Sequence, residues 1–239
     1  FLLFVSCGKN EDTPQPKPVP SSELTILAYL VANNNLDDDL MSNIGAMYDG
    51  MTSMDKQATL LVYWDGKSKI QDVSNPMLLR YQADGKGNIN GLLPIDTNAP
   101  LDDVLEVAEG VKEYPEQMST DARVMTQVLK DMVNMTTTEK IGLVVGSHAS
   151  SWLNTIFTSR AFGQDGSGTD NTMLIPDMAN ALKSTGKTFD FILFDACYMG
   201  TTEVAYMFRE VANYQLASVM EVPAYGFLYE VFMKVLYTG

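Results

Sequence analysis

The amino-acid sequence predicts an α/β fold: a mostly parallel sheet with helices packed on both faces. Three observations carry that prediction. Apolar runs with strong β character stand at 24–32, 59–64, 142–147 and 189–194, too continuous for strands wetted on one side. Segments with helical spacing of apolar residues separate them, the alternation that builds βαβ units. The only histidine, His148, and one of the two cysteines, Cys197, each sit just past such a run. In open parallel sheets, sites form outside the carboxyl ends of the strands. At 239 residues and 46% hydrophobic content, one large domain with a substantial core is expected.

The elements follow in order. Leu24 to Ala32 reads as a buried strand, and Asn33, Asn34 and Asn35 break it. Asp37, Asp38 and Asp39 open a helix through Met47, acids being favourable at the positive N-terminal end. Thr59 to Trp64 is the second strand, closed by Asp65 and Gly66. Met77 to Gln82, followed by Ala83-Asp84-Gly85, predicts a strand entering a tight turn, a small hairpin on the sheet edge. Asp102, Asp103, Glu106 and Glu109 read as a solvated helix face. Helical periodicity returns from Asp121 to Val133, with Ser119 or Thr120 as the cap. After the strand at 142–147 comes a polar, glycine-rich loop from Ser159 to Asn171. A helix at 174–183, the strand at 189–194, a helix at 201–211, a short strand at 214–219 and a last helix at 229–237 complete the pattern. The fifteen methionines fall mainly at apolar positions, where they fill the core.

The N-terminal region reads differently. Residues 1–7 look like the end of a signal peptide meeting a bacterial lipobox at Ser6-Cys7-Gly8, where Cys7 is acylated; the other reading is an ordinary apolar stretch. That stretch is too short to span a bilayer. Residues 8–22, with Pro14, Pro16, Pro18 and Pro20, form an extended linker between anchor and domain. Residues 23–239 are one domain, and the stop at Gly239 directly after an apolar helical segment reads as a C-terminal truncation. A monomer is expected in the bacterial cell envelope, lipid-anchored on the periplasmic or surface side. A net charge of −14 argues against nucleic-acid partners. No Gly-x-Gly-x-x-Gly follows the first strand, so a dinucleotide site is not expected.

A thiol nucleophile needs a base, and this chain offers one imidazole. His148 would take or share the proton of Cys197, and the thiolate would attack a carbonyl carbon. Backbone N–H groups of Ala149 and Cys197 could hold the developing oxyanion. The bland alternatives are a buried structural thiol and a catalytically idle surface binding module. A further alternative is an unrelated α/β thiol hydrolase acting on an acyl substrate.

A small residue plus Cys after an apolar strand, with a histidine about 50 residues upstream, resembles the caspase-type arrangement. Phe194-Asp195-Ala196-Cys197-Tyr198-Met199-Gly200, with Glu203-Val204-Ala205-Tyr206 after it, resembles the clostripain family of cysteine peptidases. Ala32-Asn33-Asn34-Asn35-Leu36-Asp37 is similar to that family's N-terminal Ala-Asp-Asn-Asn-Leu segment, and Ser147-His148-Ala149-Ser150-Ser151-Trp152 to its histidine motif. The resemblance implies a caspase-like αβα sandwich and hydrolysis of peptides or proteins by a Cys197–His148 dyad, usually after Arg or Lys. It places Asp195 in the P1 pocket, where a carboxylate could pair with a basic side chain. It also implies self-cleavage in the loop after the histidine, with Arg160–Ala161 the candidate bond.

This chain departs from the family pattern at three positions. Ala149 stands where the family has Gly, which would strain any position needing positive φ. Tyr225 stands where an acid often completes the basic pocket, with Glu221 nearby as the candidate substitute. Asn33 replaces the usual Asp. No cofactor is expected, apart from a candidate calcium role for Asp165-Gly166-Ser167-Gly168-Thr169-Asp170. That run lacks the spacing and terminal Glu of an EF-hand and reads mainly as a connector.

Overall fold

Strand β1 (Leu24–Ala32) is buried along its whole length and lies at the centre of a seven-stranded sheet. The computed structural model describes residues 22–96, 100–150, 161–166 and 171–237. Cys7, Trp152 and Arg160 fall outside the described residues. After β1 come α1 (Asp37–Thr52), β2 (Gln57–Gly66), β3 (Met77–Asp84), α2 (Leu101–Val107) and β4 (Glu109–Glu113). The chain continues through α3 (Ala122–Asn134), β5 (Ile141–Gly146), β6 (Ala161–Phe162), β7 (Met173–Leu174) and α4 (Ile175–Lys183). It closes with β8 (Phe189–Asp195), α5 (Thr202–Phe208), β9 (Ala212–Leu216) and α6 (Tyr229–Tyr237).

The strand order is β4-β3-β2-β1-β5-β8-β9, parallel from β2 to β9, with β3 and β4 antiparallel at one edge. The alternation of side chains along β1 explains the layers. Ile26, Ala28 and Leu30 face a core built with Leu40, Ile44, Met47 and Tyr48 of α1 and with Tyr229 and Met233 of α6. Leu27, Tyr29 and Val31 face the opposite core, with Met125, Leu129 and Met132 of α3, Met178 and Leu182 of α4, and Phe208 of α5. Each buried side chain of this size contributes about 1.5–3 kcal/mol, so a strand with apolar side chains on both faces is stable only between two helical layers. The expected mostly parallel αβα sandwich is what forms.

From β1 the chain first builds outward through β2, β3 and β4, then returns to lay β5 on the other side of β1. The carboxyl ends of β1 and β5 therefore flank a topological switch point, where such sheets leave a crevice.

Several local expectations change. The expected tight turn after the strand at 77–84 forms, with Asp84 N–H donating to Asn88 C=O at 3.1 Å and Asn90 N–H to Gln82 C=O at 2.8 Å. The strand itself, however, pairs along its length with β2, from Gln57 opposite Asp84 to Trp64 opposite Met77. Glu109 is not on a helix face but opens β4, where its Oε2 accepts from Arg80 Nη2 at 2.6 Å and anchors a buried guanidinium. The α3 cap is Asp121, whose carboxylate accepts from Arg123 N, while Ser119 turns inward to a buried network. The strand placed at 214–219 begins earlier and ends at Leu216, and the helix placed at 201–211 ends at Phe208.

Candidate active site

The sheet brings three loop starts together. Gly146, the last residue of β5, pairs with Asp195, the last residue of β8, and Ser147 N–H donates to Asp195 C=O at 3.3 Å. His148 and Cys197 thus leave neighbouring strands, about 4.8 Å apart, at the same level. The third start is Asn33-Asn34-Asn35 after β1, on the other side of β5.

The histidine loop is held from behind by residues 161–166. Ser150 N–H donates to Ala161 C=O at 3.0 Å, Gly163 N–H to His148 C=O at 2.8 Å, and Gln164 N–H to Ser147 Oγ at 3.2 Å. Ser147 Oγ in turn donates to Val31 C=O at 2.8 Å. The side chain of Asn34 donates to Val31 C=O and Gln164 C=O, and its Oδ1 accepts Leu36 N–H. His148 is half-buried, and burial lowers its pKa, favouring a neutral imidazole that can act as a base. Its Nε2 lies 2.8 Å from Asn35 Oδ1.

Ala149 bridges Phe162 through the bonds of its flanking residues, so its own N–H points away from that segment. Among the described residues, neither Ala149 N–H nor Cys197 N–H has an acceptor. Amides without an acceptor among the described residues, carried just past the ends of adjacent strands, are the kind of donor an oxyanion hole needs. Ala149 is not among the described residues with positive φ, so the strain expected from replacing Gly does not arise.

Cys197 is partly buried, and its neighbour Tyr198 adopts the left-handed conformation, φ 61°, turning the chain sharply after the thiol. The loop after β9 zips onto this turn. Tyr198 N–H donates to Met220 C=O at 2.9 Å, Gly200 N–H to Ser218 C=O at 2.8 Å, and Val222 N lies 3.4 Å from Cys197 Sγ. Glu221 lies between two of these contacts and accepts from Tyr198 Oη at 2.9 Å. Tyr225, three residues past Val222, is 66% exposed.

Asp195 is 6% exposed. Its Oδ2 accepts from Asn43 Nδ2 at 3.1 Å and Tyr229 Oη at 2.8 Å, whereas Oδ1 accepts from no described residue. Burial raises the Asp195 pKa to about 6, partly offset by the Tyr229 bond. Gly226, at φ 68°, closes over this carboxylate, and a Cβ there would stand 2.3 Å from Oδ2. Neither Glu221 nor Tyr225 hydrogen-bonds Asp195; its partners come from α1 and α6.

A second buried acid group lies behind the histidine loop. Asp165 accepts from Asn33 Nδ2 at 3.0 Å and from Ser119 N–H at 2.6 Å, and Ser119 Oγ donates to Asp65. Burial raises Asp65 well above the carboxylate range, and the adjacent Asp165 adds to that. Asn33 supplies an N–H donor to Asp165 and adds no third carboxylate to the pair. Of the candidate calcium run, residues 167–170 lie outside the described residues, while Asp165 carries one N–H donor on each of its oxygens. No cluster of three or more His, Cys, Asp or Glu able to hold a metal is present among the described residues.

The model of the clostripain family matches residues 28–239. The chain belongs to the clostripain family. This clostripain-family chain is similar to a secreted C11 cysteine protease from Bacteroides thetaiotaomicron, solved with an irreversible peptide inhibitor. The two share 32% identity over 91% of this chain and 54% of that one, with a TM-score of 0.72. It is also similar to an inactive zymogen C11 protease from Parabacteroides distasonis, at 27% identity over 92% of this chain and 55% of that one, TM-score 0.67. The chain therefore spans about half the length of these solved relatives. No curated protein sequence matches it.

The sequence singled out His148, Cys197 and Asp195; the structure adds Asn35 as a partner of His148, Asn43 and Tyr229 as partners of Asp195, and Asp65 in the buried acid group. The Asn33-Asn34-Asn35 run was visible as a strand breaker, and three consecutive amides were the available signal.

Proposed function

We propose that this chain carries the catalytic centre of a cysteine endopeptidase. The observation that carries the reading is the placement of Cys197 and His148 just past the ends of adjacent parallel strands, with the amides of Ala149 and Cys197 lacking an acceptor among the described residues. The neutral imidazole takes the thiol proton, and the thiolate adds to the scissile carbonyl carbon. Ala149 and Cys197 N–H groups stabilise the oxyanion. Collapse of the tetrahedral species breaks the C–N bond, with the imidazolium protonating the departing amine. A water molecule, deprotonated by the imidazole, then hydrolyses the thioester and frees Cys197.

The P1 residue is Arg or Lys, and Asp195 Oδ1, the oxygen without a described donor, meets its charge. Glu221 and Tyr225 border the pocket. Self-processing occurs at Arg160–Ala161, and Cys7 carries the lipid that holds a monomeric enzyme to the outside of a bacterial membrane. An extracytoplasmic setting is supported by the solved relative from Bacteroides thetaiotaomicron, which is described as secreted.

The test is cleavage of fluorogenic peptides with varied P1 by the wild type and by Cys197→Ala, with iodoacetamide labelling of Cys197. Turnover after basic P1 residues, abolished by Cys197→Ala, is expected. No cleavage by the wild type, before or after trypsin treatment or added calcium, together with an unlabelled thiol, would refute the peptidase reading. Cleavage only after non-basic residues would remove the role given to Asp195.

A further inference from the structure

His148 sits between two strand ends. The order β1-β5-β8 puts Asn35, three residues past β1, on one side of it and Cys197, two residues past β8, on the other. The ring's two nitrogens point apart, and Nε2 is the one directed to Asn35, at 2.8 Å from Oδ1. A carbonyl oxygen accepts but cannot donate, so this contact requires the proton on Nε2 and leaves Nδ1 with its lone pair. In that tautomer the nitrogen not engaged by Asn35 is the one able to accept a proton from a thiol.

The side chain of Asn35 is exposed, but the backbone leading to it is anchored. Its two predecessors are tied down: Asn33 donates to Asp165, and Asn34, 3% exposed, bonds Val31, Gln164 and the N–H of Leu36. Ser147, next to the histidine, shares the Val31 carbonyl with Asn34 and lies 3.5 Å from its Nδ2. The loops carrying Asn35 and His148 are thus one hydrogen-bonded unit, which fixes their relative geometry.

We propose that Asn35 is the positioning residue of the Cys197–His148 pair, its Oδ1 accepting a hydrogen bond from Nε2–H so that in the neutral ring Nδ1 keeps its lone pair for the thiol proton. The assignment rests on the peptidase reading for its catalytic meaning, but the tautomer it dictates does not. Asn35 touches no reacting atom. It acts through the histidine, in both its neutral and protonated forms, because Nε2 carries a proton in each.

The single histidine makes the test direct. The chain, carrying Cys197→Ala to prevent self-digestion and purified without a histidine tag, is labelled with 15N-imidazole histidine. NMR at a pH where the ring is neutral then reads one tautomer without assignment. The Nε2-protonated form is expected in that protein and a mixture in its Asn35→Leu derivative. In the active enzyme, Asn35→Leu should lower kcat about tenfold with KM changed less than twofold, and Asn35→Asp, which keeps the acceptor, should recover most of the loss. A purely structural role would lower stability and raise KM without changing the tautomer. An Nδ1-protonated ring, an unchanged tautomer in Asn35→Leu, or kcat reduced less than twofold overturns the proposal. If no peptide is cut by any form, yet Nε2 is protonated and Asn35→Leu releases it, the peptidase reading fails and the positioning of His148 by Asn35 stands.

Discussion

Asp195→Asn should make the folded protein more stable at pH 8 while weakening cleavage after basic residues. The carboxylate is 6% exposed and its pKa is raised from 3.8 to about 6, with burial as the main cause. A folded-state pKa above the unfolded value means that the native state keeps its proton longer. Stability contributed by the protonated form is complete below about pH 4 and is lost as pH rises through about 6. The shift of about two units corresponds to about 3 kcal/mol at 1.36 kcal/mol per unit. An amide in the same place carries no charge to desolvate. Its oxygen can still accept from Asn43 and Tyr229, because both donors use one oxygen of Asp195. The assay is urea denaturation of Cys197→Ala and Cys197→Ala/Asp195→Asn from pH 4 to pH 8. The two should agree within about 1 kcal/mol at pH 4, and the amide should lead by up to about 3 kcal/mol at pH 8, or about 6–12 °C in Tm. If the gap between the two proteins is the same at both pH values, Asp195 ionises normally in the native state and the reasoning is refuted.

Three further outcomes follow from the same geometry. Gly226→Ala should destabilise the fold by about 2–4 kcal/mol, since its Cβ would meet Asp195 Oδ2 at 2.3 Å in a left-handed backbone; a denaturation midpoint equal to wild type would show that the loop shifts freely. Asp65→Asn should stabilise the protein at pH 8 more than at pH 5, because burial and Asp165 raise the Asp65 pKa and the native state loses stability as that proton leaves; pH-dependent thermal melts measure it. Ser147→Ala removes a donor to Val31 C=O and an acceptor for Gln164 N–H; a loss of about 1–3 kcal/mol and faster hydrogen exchange in 161–166 are expected by mass spectrometry.

What could be read from the chain was whatever one element decides alone. The first strand was legible to the residue, because nine consecutive positions, apolar except for Thr25, have no other stable environment than the middle of a two-sided sheet. His148 and Cys197 were legible because their residue types are rare in this chain and both end strands. Asn35 was not, since an asparagine after a strand looks the same whether it ends the strand or orients an imidazole. Asp65 and Asp165 lie a hundred positions apart and meet only after the 161–166 segment crosses back to the end of β2 through Ser119. Asn43 and Tyr229 sit on helices whose apolar faces were visible, but which turn of each helix overlies Asp195 depends on how α1 and α6 pack together. Ser119 was misjudged for the same reason: its hydroxyl serves a distant carboxylate instead of the adjacent helix.

The six residues from Ala161 to Gly166 bear on the thermodynamic order of the folding reaction. They grip the histidine loop by backbone bonds to His148 and Ser150, and they bury Ala161, Phe162 and Asp165. A chain severed just before Ala161 would therefore stay assembled as two fragments, each holding strands of one sheet: β1 to β5 in the first and β8 and β9 in the second. Unfolding of such a nicked protein separates two molecules, so its melting temperature would rise with protein concentration, whereas that of the uncut chain would not. Dilution after denaturation would permit recovery of the intact form and strand the nicked one. A cut at this point would turn a refoldable domain into a protein that can be switched off by a single transient unfolding.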